Sequence, residues 1–456
     1  RVVPIFFSLL RMNNKSKVIN DPVHGHITLP DYCLEVVDTP QFQRLRELKQ
    51  MGAAYLVYPG ASHNRFEHSL GVCHLAGQLL LQIQERQPEL GINETDLKRV
   101  RLAGLCHDLG HGPFSHSFEG WASKQAGSWH HEDMSQKLFR YLVKDNNIDL
   151  DEEDIRVVID LIGGKSSAPE RDAPKQFMFD IVANSRNSVD VDKFDYLARD
   201  CYNMDFKSAY DFSRLMKFCR VIKNEICFHS KEVFNVYDMF HTRYSLFKQV
   251  YTHRVNKAIE YMIDDALTLA DPYLKISDRI QDPETFYLLT DSLLNTIESS
   301  AIPEMQPARD IIRRIRKRQL YKITNDVLIP AEKKHIYEQI SEELLVENKH
   351  PASTLTVNDI IIHKLTLNYA MKDANPVDNV HFFAQWTDRE HFSIPKQRVS
   401  LLIPDDFSEQ YIRVYCRDPE KVLDVQVAFR QYAKKEGLDY DFPGSIGARK
   451  SLSLDQ

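Results

Sequence analysis

Residues 104–116, GLCHDLGHGPFSH, place three histidines and an aspartate within ten positions. His107 and Asp108 are adjacent at the end of a helix-period segment, so an imidazole nitrogen and a carboxylate leave the same turn. That donor pair suits Fe, Mn or Zn. A lone His-Asp pair at a helix end is commonly just a solvated cap, and the surroundings change its weight. His68 stands on an upstream helical segment, RFEHSLGV, and Asp192 lies in SVDVDKFDYLARD, so His68, His107, Asp108 and Asp192 can converge from three helices. A metal held by such a set would lower the pKa of bound water toward ~7 and polarise a phosphoryl oxygen.

Helical spacing brings further groups to the same neighbourhood. Asp192, Tyr196 and Asp200 stand at i, i+4 and i+8, so two carboxylates and a ring share one face, with Lys193 alongside to meet a phosphate. Arg243, Phe247 and Tyr251 form a second stripe, for which core packing is the ordinary explanation. His116 is the first choice as proton donor to a leaving oxygen, because an imidazole's ordinary pKa of ~6.5 lies near operating pH.

The elements that must position these residues read as helices first and strands last. Helix-period segments cover 39–51, begin again near Asn64, and cover 95–109. A polar loop at 164–176 precedes a helical pattern through 177–270, and a break from Asp271 precedes two further helices. Beyond about Thr324, DIIIHKLTLNYA, VHFFAQW and YIRVYCR are strand-like and EKVLDVQVAFRQYAKKEG is helix-like. The expected fold is mainly α, a helical bundle with a smaller C-terminal α+β lobe. Residues 1–16 read as a fragment edge outside the core, 17–323 as the catalytic domain and 324–456 as the lobe.

Composition narrows the class. The 456 residues hold no apolar run near the ~18 that a membrane helix needs, so no membrane partner is expected. Seven scattered cysteines without a C-x-x-C pair indicate neither a disulfide framework nor a zinc ribbon and point to a reducing compartment. A net charge of −7 argues against general nucleic-acid coating but leaves room for local basic patches.

The order His, His-Asp, Asp is the HD-domain metal-hydrolase signature, and the likeness is closer than that superfamily. VINDPVHGHI, DTPQFQRLR, PGASHNRFEHSLGV, AGLCHDLGHGPFSH, VDVDKFDYLARD and YDMFHTR resemble the vertebrate SAM- and HD-domain-containing deoxynucleoside triphosphate triphosphohydrolases, from about Lys17 to at least Arg417. The resemblance covers their catalytic core and not their SAM domain. It implies hydrolysis of a dNTP to a deoxynucleoside and inorganic triphosphate, with Fe, Mn or Zn at the HD site and Mg2+ accompanying the nucleotide. It also implies His116 and His131 as catalytic histidines, a supporting carboxylate at Glu119 where the family pattern has aspartate, and His111 and Arg65 at phosphate oxygens. Gln50 and Asp200 would hold the 3′-hydroxyl, Tyr251 would reject a 2′-hydroxyl, and Arg243 would pair with phosphate. Phe247 stands where the family has histidine.

The same resemblance implies activation by GTP or dGTP and by dNTPs, which bridge subunits of a homotetramer. A guanine would be read by Asp38, Gln43 and Arg46, with Lys17 and Val18 beside it, and a neighbour's Arg318 and Lys322 reaching in. Asp38 can accept from guanine N1 and N2, a pattern adenine does not offer. The basic segment 309–322 that carries Arg318 is otherwise an ordinary solvated helix face. A dNTP activator would meet Asn20, Val57, Arg214, Phe218, Lys231, Asn235, His253, Arg254 and Lys396. His229 and Gln249 replace arginines of the family pattern, and Arg254 replaces a lysine. Single-stranded nucleic acid is a further partner the resemblance admits, and it implies the nucleus, with the cytoplasm as the alternative. Two other readings use the same residues: a nuclease or cyclic-nucleotide phosphodiesterase, and a non-enzymatic nucleotide-sensing oligomeriser.

Overall fold

The computed structural model describes residues 16–166 and 175–438. The non-core segment expected at the N-terminus, most of the loop at 164–176 and the last residues of the chain therefore lie outside the described residues. The chain opens on an antiparallel hairpin, β1 (Lys17–Asp21) and β2 (Gly25–Leu29), followed by α1 (Asp31–Val37). The expected helix over 39–51 is broken: Pro40–Gln43 makes one α-helical turn, Arg44–Glu47 one 3-10 turn, and Leu48 is extended. The apolar residues of that segment are nevertheless buried, Phe42, Leu45 and Leu48 completely. Tertiary packing satisfied the hydrophobic pattern without regular helix.

Two long helices form the spine. α2 (Arg65–Arg86) starts at Asn64, whose backbone N–H is taken by Glu67 at 2.8 Å, and α3 (Glu94–Cys106) starts at Asn93, which exchanges hydrogen bonds with Asp96. α3 ends at Cys106, so His107 is its cap residue and Asp108 lies in the turn beyond. The turn then runs into α4 (His116–Ala126), followed by α5 (His131–Asp145), α6 (Glu152–Ile162) and α7 (Val191–Met204).

The turn between α3 and α4 is held at several points. Arg44, fully buried, donates to the carbonyls of Leu289 (3.0 Å), Leu109 (3.1 Å) and His111 (2.7 Å). Asp291 accepts from the backbone N–H of Phe114 (2.8 Å) and Lys49 (2.9 Å). Phe114 and Ser115 both have positive φ, 59° and 57°, a backbone that side-chain-bearing residues rarely adopt and that these contacts over-determine. Gly110 comes so near α5 that a Cβ there would sit 2.2 Å from the His131 carbonyl oxygen, and its N–H donates to Ser135 Oγ.

The helical pattern expected through 177–270 is interrupted by a hairpin, β3 (Cys219–Ile222) and β4 (Glu225–His229), turning on Lys223 and Asn224, both with positive φ. α8 (Val233–Leu246) passes into a π turn over Phe247–Tyr251, and α9 (Arg254–Leu274) follows. The break expected at Asp271 comes later, because α9 carries Pro272 in its last turn and ends at Leu274. α10 (Gln306–Arg316) buries Ile312 and Ile315 and turns its basic residues mostly outward.

Strands dominate the end of the chain. β5 (Lys322–Ile329) and β6 (Ile360–Asn368) flank β8 (Ser408–Cys416) in an antiparallel sheet, while the two-residue β7 (Phe382–Phe383) joins β4 in parallel. α11 (Val422–Lys435) packs Val425, Ala428, Phe429 and Tyr432 on that antiparallel sheet as a core of its own. Tyr415 and Ile361 belong instead to the main core, which joins this region to the helices. The fold is mainly α with a sheet-containing C-terminal region. No helix among the described residues is long and apolar enough to cross a membrane, and all seven cysteines are free and buried.

α4 is fastened to α9 by Ser117 Oγ donating to Asp264 Oδ1 (3.0 Å) and Trp121 Nε1 donating to Thr268 Oγ1 (3.1 Å). Burial pushes the Asp264 carboxyl up to about 7, against the pull of Lys124 and Lys257. The unfolded carboxyl titrates near ~3.9, so the folded state binds more protons, and this contribution to stability is lost as pH rises from about 4 through 7. Asp264→Asn is therefore expected to raise Tm at pH 8 by ~2–5 °C, with the gain vanishing near pH 5. Thermal melts of both proteins across that range check it.

Candidate active site and metal centre

The four expected metal ligands meet at one point. His68 comes from α2, His107 and Asp108 from the end of α3, and Asp192 from the first turn of α7. His68 Nε2 lies 3.2 Å from Asp192 Oδ1 and 3.5 Å from Asp108 Oδ2, and His107 Nε2 lies 3.3 Å from Asp192 Oδ1 and 3.4 Å from Asp108 Oδ1. Both Nε2 atoms are buried without a hydrogen-bond partner. One atom each of His68, His107 and Asp192 falls within 4.8 Å of the other two, a spacing that fits a transition-metal ion, and Asp108 adjoins both imidazoles.

The opposite nitrogens are fixed. His68 Nδ1 lies 2.7 Å from Asp195 Oδ2, and His107 Nδ1 lies 2.9 Å from the Gly104 carbonyl oxygen. Protons on Nδ1 leave each Nε2 lone pair free for a metal. Sequence reasoning missed Asp195, although its spacing from Asp192 and Arg199 on α7 was readable. Arg199 holds it with two 2.9 Å hydrogen bonds and reaches Asp21 at 2.9 Å, while His24 Nε2 lies 2.6 Å from Asp195 Oδ1. Burial alone would lower the His68 pKa, but Asp192, Asp195 and Asp108 outweigh it and raise it to about 10. Burial would raise Asp192, yet His107 and His68 hold it well below the usual carboxylate range. The cluster demands a cation, either protons or a metal.

A second histidine group adjoins the first. The His111 and His131 rings stack with centroids 3.8 Å apart, and His116 sits edge-on to both. Burial, Arg65 and His131 all hold His111 well below an ordinary histidine, so it is neutral at physiological pH. Glu119 Oε2 lies 3.1 Å from His131 Nδ1 and 3.5 Å from His116 Nδ1, and Oε1 lies 3.3 Å from His130 Nδ1. Burial would raise Glu119, but hydrogen bonds from His116 and His131 hold it far below its usual range. The closer imidazole is thus His131, and His130 shares the same carboxylate. Arg65 is buried and tied to Asp108, to the Gln50 carbonyl and to Ser115 Oγ.

A cleft of about 540 Å³ opens over both groups. Along it lie Gln50, Arg65, Lys193, Tyr196, Asp200, Arg243 and Tyr251, all named from the sequence. Gln50 Oε1 is buried and unpartnered, an acceptor available to a hydroxyl. Tyr251 Oη donates to Asp200 Oδ2 at 2.5 Å, and His63 Nε2, which the sequence did not single out, lies 2.6 Å from Asp200 Oδ1. Lys193 is 3.2 Å from both Asp190 oxygens. The Arg243 guanidinium stands 4.3 Å from the Phe247 ring centroid and donates to the Asn368 carbonyl. Tyr251 reaches Asp200 from the π turn rather than from a continuous helical stripe. Lys257 and Glu260, paired at 2.5 Å, also line the cleft and were not anticipated.

The expected activator residues gather in part. Gln43 donates to the Val37 carbonyl and accepts from Arg46 at 2.8 Å each, beside exposed Asp38. Lys17 and Val18 are exposed on β1, and Lys322 is exposed at the start of β5. Arg318 donates to the Leu56 carbonyl of its own chain at 2.8 Å. Lys231 Nζ lies 3.5 Å from the Phe218 ring centroid, and Arg214 and Asn235 both engage Glu232. His229 Nδ1 accepts from the Lys231 backbone, and the Gln249 carbonyl accepts from Tyr58, whose ring faces His253. Asn20 sits exposed on β1, Val57 half-buried, and Arg254 at the start of α9, while Lys396 pairs with Asp405 at 2.7 Å.

The HD domain model matches residues 65–200 and the HD associated region matches residues 210–352. A Dictyostelium discoideum protein named as a homolog of the deoxynucleoside triphosphate triphosphohydrolase SAMHD1 is 49% identical over 426 residues, covering 93% of this chain and 82% of its own length. The SAMHD1 proteins of Gallus gallus and Homo sapiens are each 41% identical, covering 96% and 93% of this chain and 78% and 74% of their own. With both HD-family segments matched and these relatives covered over most of their length, the chain belongs to the SAMHD1 family of HD-domain proteins.

Proposed function

We propose that this chain is a metal-dependent dNTP triphosphohydrolase, converting a dNTP and water to a deoxynucleoside and inorganic triphosphate. One observation carries the reading. A single cleft joins His68, Asp108 and Asp192 of the metal cluster to a hydroxyl-reading pair, the unpartnered Gln50 Oε1 and the clamped Asp200 carboxylate. The names of the relatives agree with it. His68, His107, Asp108 and Asp192 would hold Fe, Mn or Zn, which when bound supplies Lewis acidity and lowers the pKa of water.

The chain's own groups do the rest. Lys193 and Arg243 neutralise phosphate charge, and neutral His111 offers a hydrogen bond without adding a cation. Water oxygen bonds to the α-phosphorus and sheds one proton to solvent as the bond to the nucleoside O5′ breaks; O5′ takes a proton from His116, which solvent then reprotonates. Glu119 orients the histidine group through Nδ1. Tyr251, held by Asp200, walls the sugar where a 2′-hydroxyl would project. The finer reading extends to regulation: GTP or dGTP at Lys17, Val18, Asp38, Gln43 and Arg46, together with a dNTP at the Phe218–Lys231 cluster, assembles an active homotetramer. With His229 and Gln249 in place of arginines, fixed positive charge at that second site is reduced and its nucleotide dependence altered.

A dNTP panel assayed with and without GTP is expected to yield inorganic triphosphate and deoxynucleoside, faster with GTP, alongside a shift to a larger species in size exclusion. Pyrophosphate or free phosphate as sole product would refute the bond assignment, and preferential cleavage of single-stranded RNA would favour a nuclease. His116→Ala is expected to lower kcat about 10²–10⁴-fold, as loss of a general acid does. Glu119→Gln should lower it by a smaller ~10–100-fold, with KM little changed, which steady-state kinetics on one dNTP checks. For 3′-hydroxyl recognition, the parent should prefer a dNTP over its 2′,3′-dideoxy analogue by ~10–100-fold in kcat/KM, and Gln50→Ala should shrink that ratio.

A further inference from the structure

Away from the cleft, Glu225, His381 and His391 face one another. Glu225 closes the β3–β4 hairpin, where its backbone pairs with Ile222, and its side chain is largely buried. His381 precedes β7, and its carbonyl accepts from the Phe228 N–H at 3.0 Å. His391 lies on the return strand, where Phe382 and Phe392 exchange N–H···O bonds of 2.8 and 2.9 Å. The two histidines each adjoin that bridged pair, so their side chains leave the same face of the ribbon. Their rings stack at 4.0 Å with planes 26° apart, and His381 Nδ1 lies 2.8 Å from Glu225 Oε1. One donor atom from each of the three residues falls within 4.8 Å of the other two.

We propose that Glu225, His381 and His391 form a second metal site, selective for a borderline-soft divalent ion such as zinc, distinct from the HD centre. Two imidazoles and one carboxylate are a donor set zinc uses when a fourth position is left to water. With bonds of about 2.0–2.2 Å and tetrahedral angles, donors around zinc stand ~3.4 Å apart, so the His381–Glu225 pair, now at 2.8 Å, need open by about 0.6 Å. The nearby cations do not fill the gap: Arg186 approaches the other Glu225 oxygen only to 4.0 Å, and Lys223 is paired with Glu390. An ion here would staple the ribbon around β7 to the β3–β4 hairpin, closing a loop of more than 150 residues.

Zinc titration of the metal-stripped full chain, read by bound metal per chain and by isothermal calorimetry, tests the proposal. The unmodified protein should bind two ions per chain. His107→Ala should retain one, and His107→Ala combined with His391→Ala should bind that ion at least tenfold more weakly. His381→Asn, whose side chain preserves a polar group at the bend, gives a second reading of the same loss. Retention of one equivalent by the double variant with unchanged affinity, or failure of folded His107→Ala to bind any zinc, would overturn the site and leave a hydrogen-bonded triad.

Discussion

Asp195 lies fully buried between α2 and α7, and its two oxygens are divided among three partners. One oxygen lies against His68 Nδ1 and Arg199 Nε, the other against His24 Nε2 and Arg199 Nη2. Arg199 continues to Asp21 at the end of β1, so the hairpin, α2 and α7 are tied by one charged network without access to water. A buried charge left alone is costly, and here each is answered. Gly71 makes the approach feasible, since a Cβ there would fall 1.8 Å from Asp195 Oδ1. Because the network also fixes the tautomer of His68, the same contacts that join the elements aim Nε2 at the metal position.

The turn after α3 works on the opposite principle. There the backbone is bent into positive φ at two residues with side chains, and neutral as well as charged groups hold it so. Arg44 collects three carbonyls that would otherwise point into the core, and Asp291 collects two N–H groups. The result spreads the residues of GLCHDLGHGPFSH along the site: His107 turns toward Asp192, His111 and His116 meet His131, and Asp108 lies between, its Oδ1 3.4 Å from Nε2 of both His107 and His111. The strain is local, whereas the contacts that maintain it come from α2's approach segment and from residues near 290, far apart in sequence.

Much of this was legible before any coordinates. Asn64 and Asn93 announced their helices, and the i, i+4, i+8 pattern of Asp192, Tyr196 and Asp200 did put three groups along the cleft. What escaped was whatever depended on a distant partner. The 39–51 segment has helical periodicity, yet its apolar residues are buried by short turns. Pro272 reads as a stop, but a helix tolerates it in a last turn where it soon ends. His63, Asp195 and His24 gain meaning only once Asp200, His68 and Arg199 lie beside them, and Glu225 is separated from His381 by 156 positions.

Glu119 shows how a single methylene can redistribute a site. Its carboxylate reaches three imidazoles, with the His131 contact at 3.1 Å and the His116 contact at 3.5 Å. A shorter acid on the same turn of α4 could not extend as far toward α5, and would stay nearer to His116 at i−3. The longer arm instead makes His131 the tighter partner, while His131 in turn stacks on His111. The carboxylate is thus shared among imidazoles rather than committed to one dedicated pair. His116, set edge-on to the His111–His131 stack, is the most exposed of the three rings. In the proposed reaction, orientation by Glu119 and delivery by His116 would be separate tasks, joined through the contacts both make with His131.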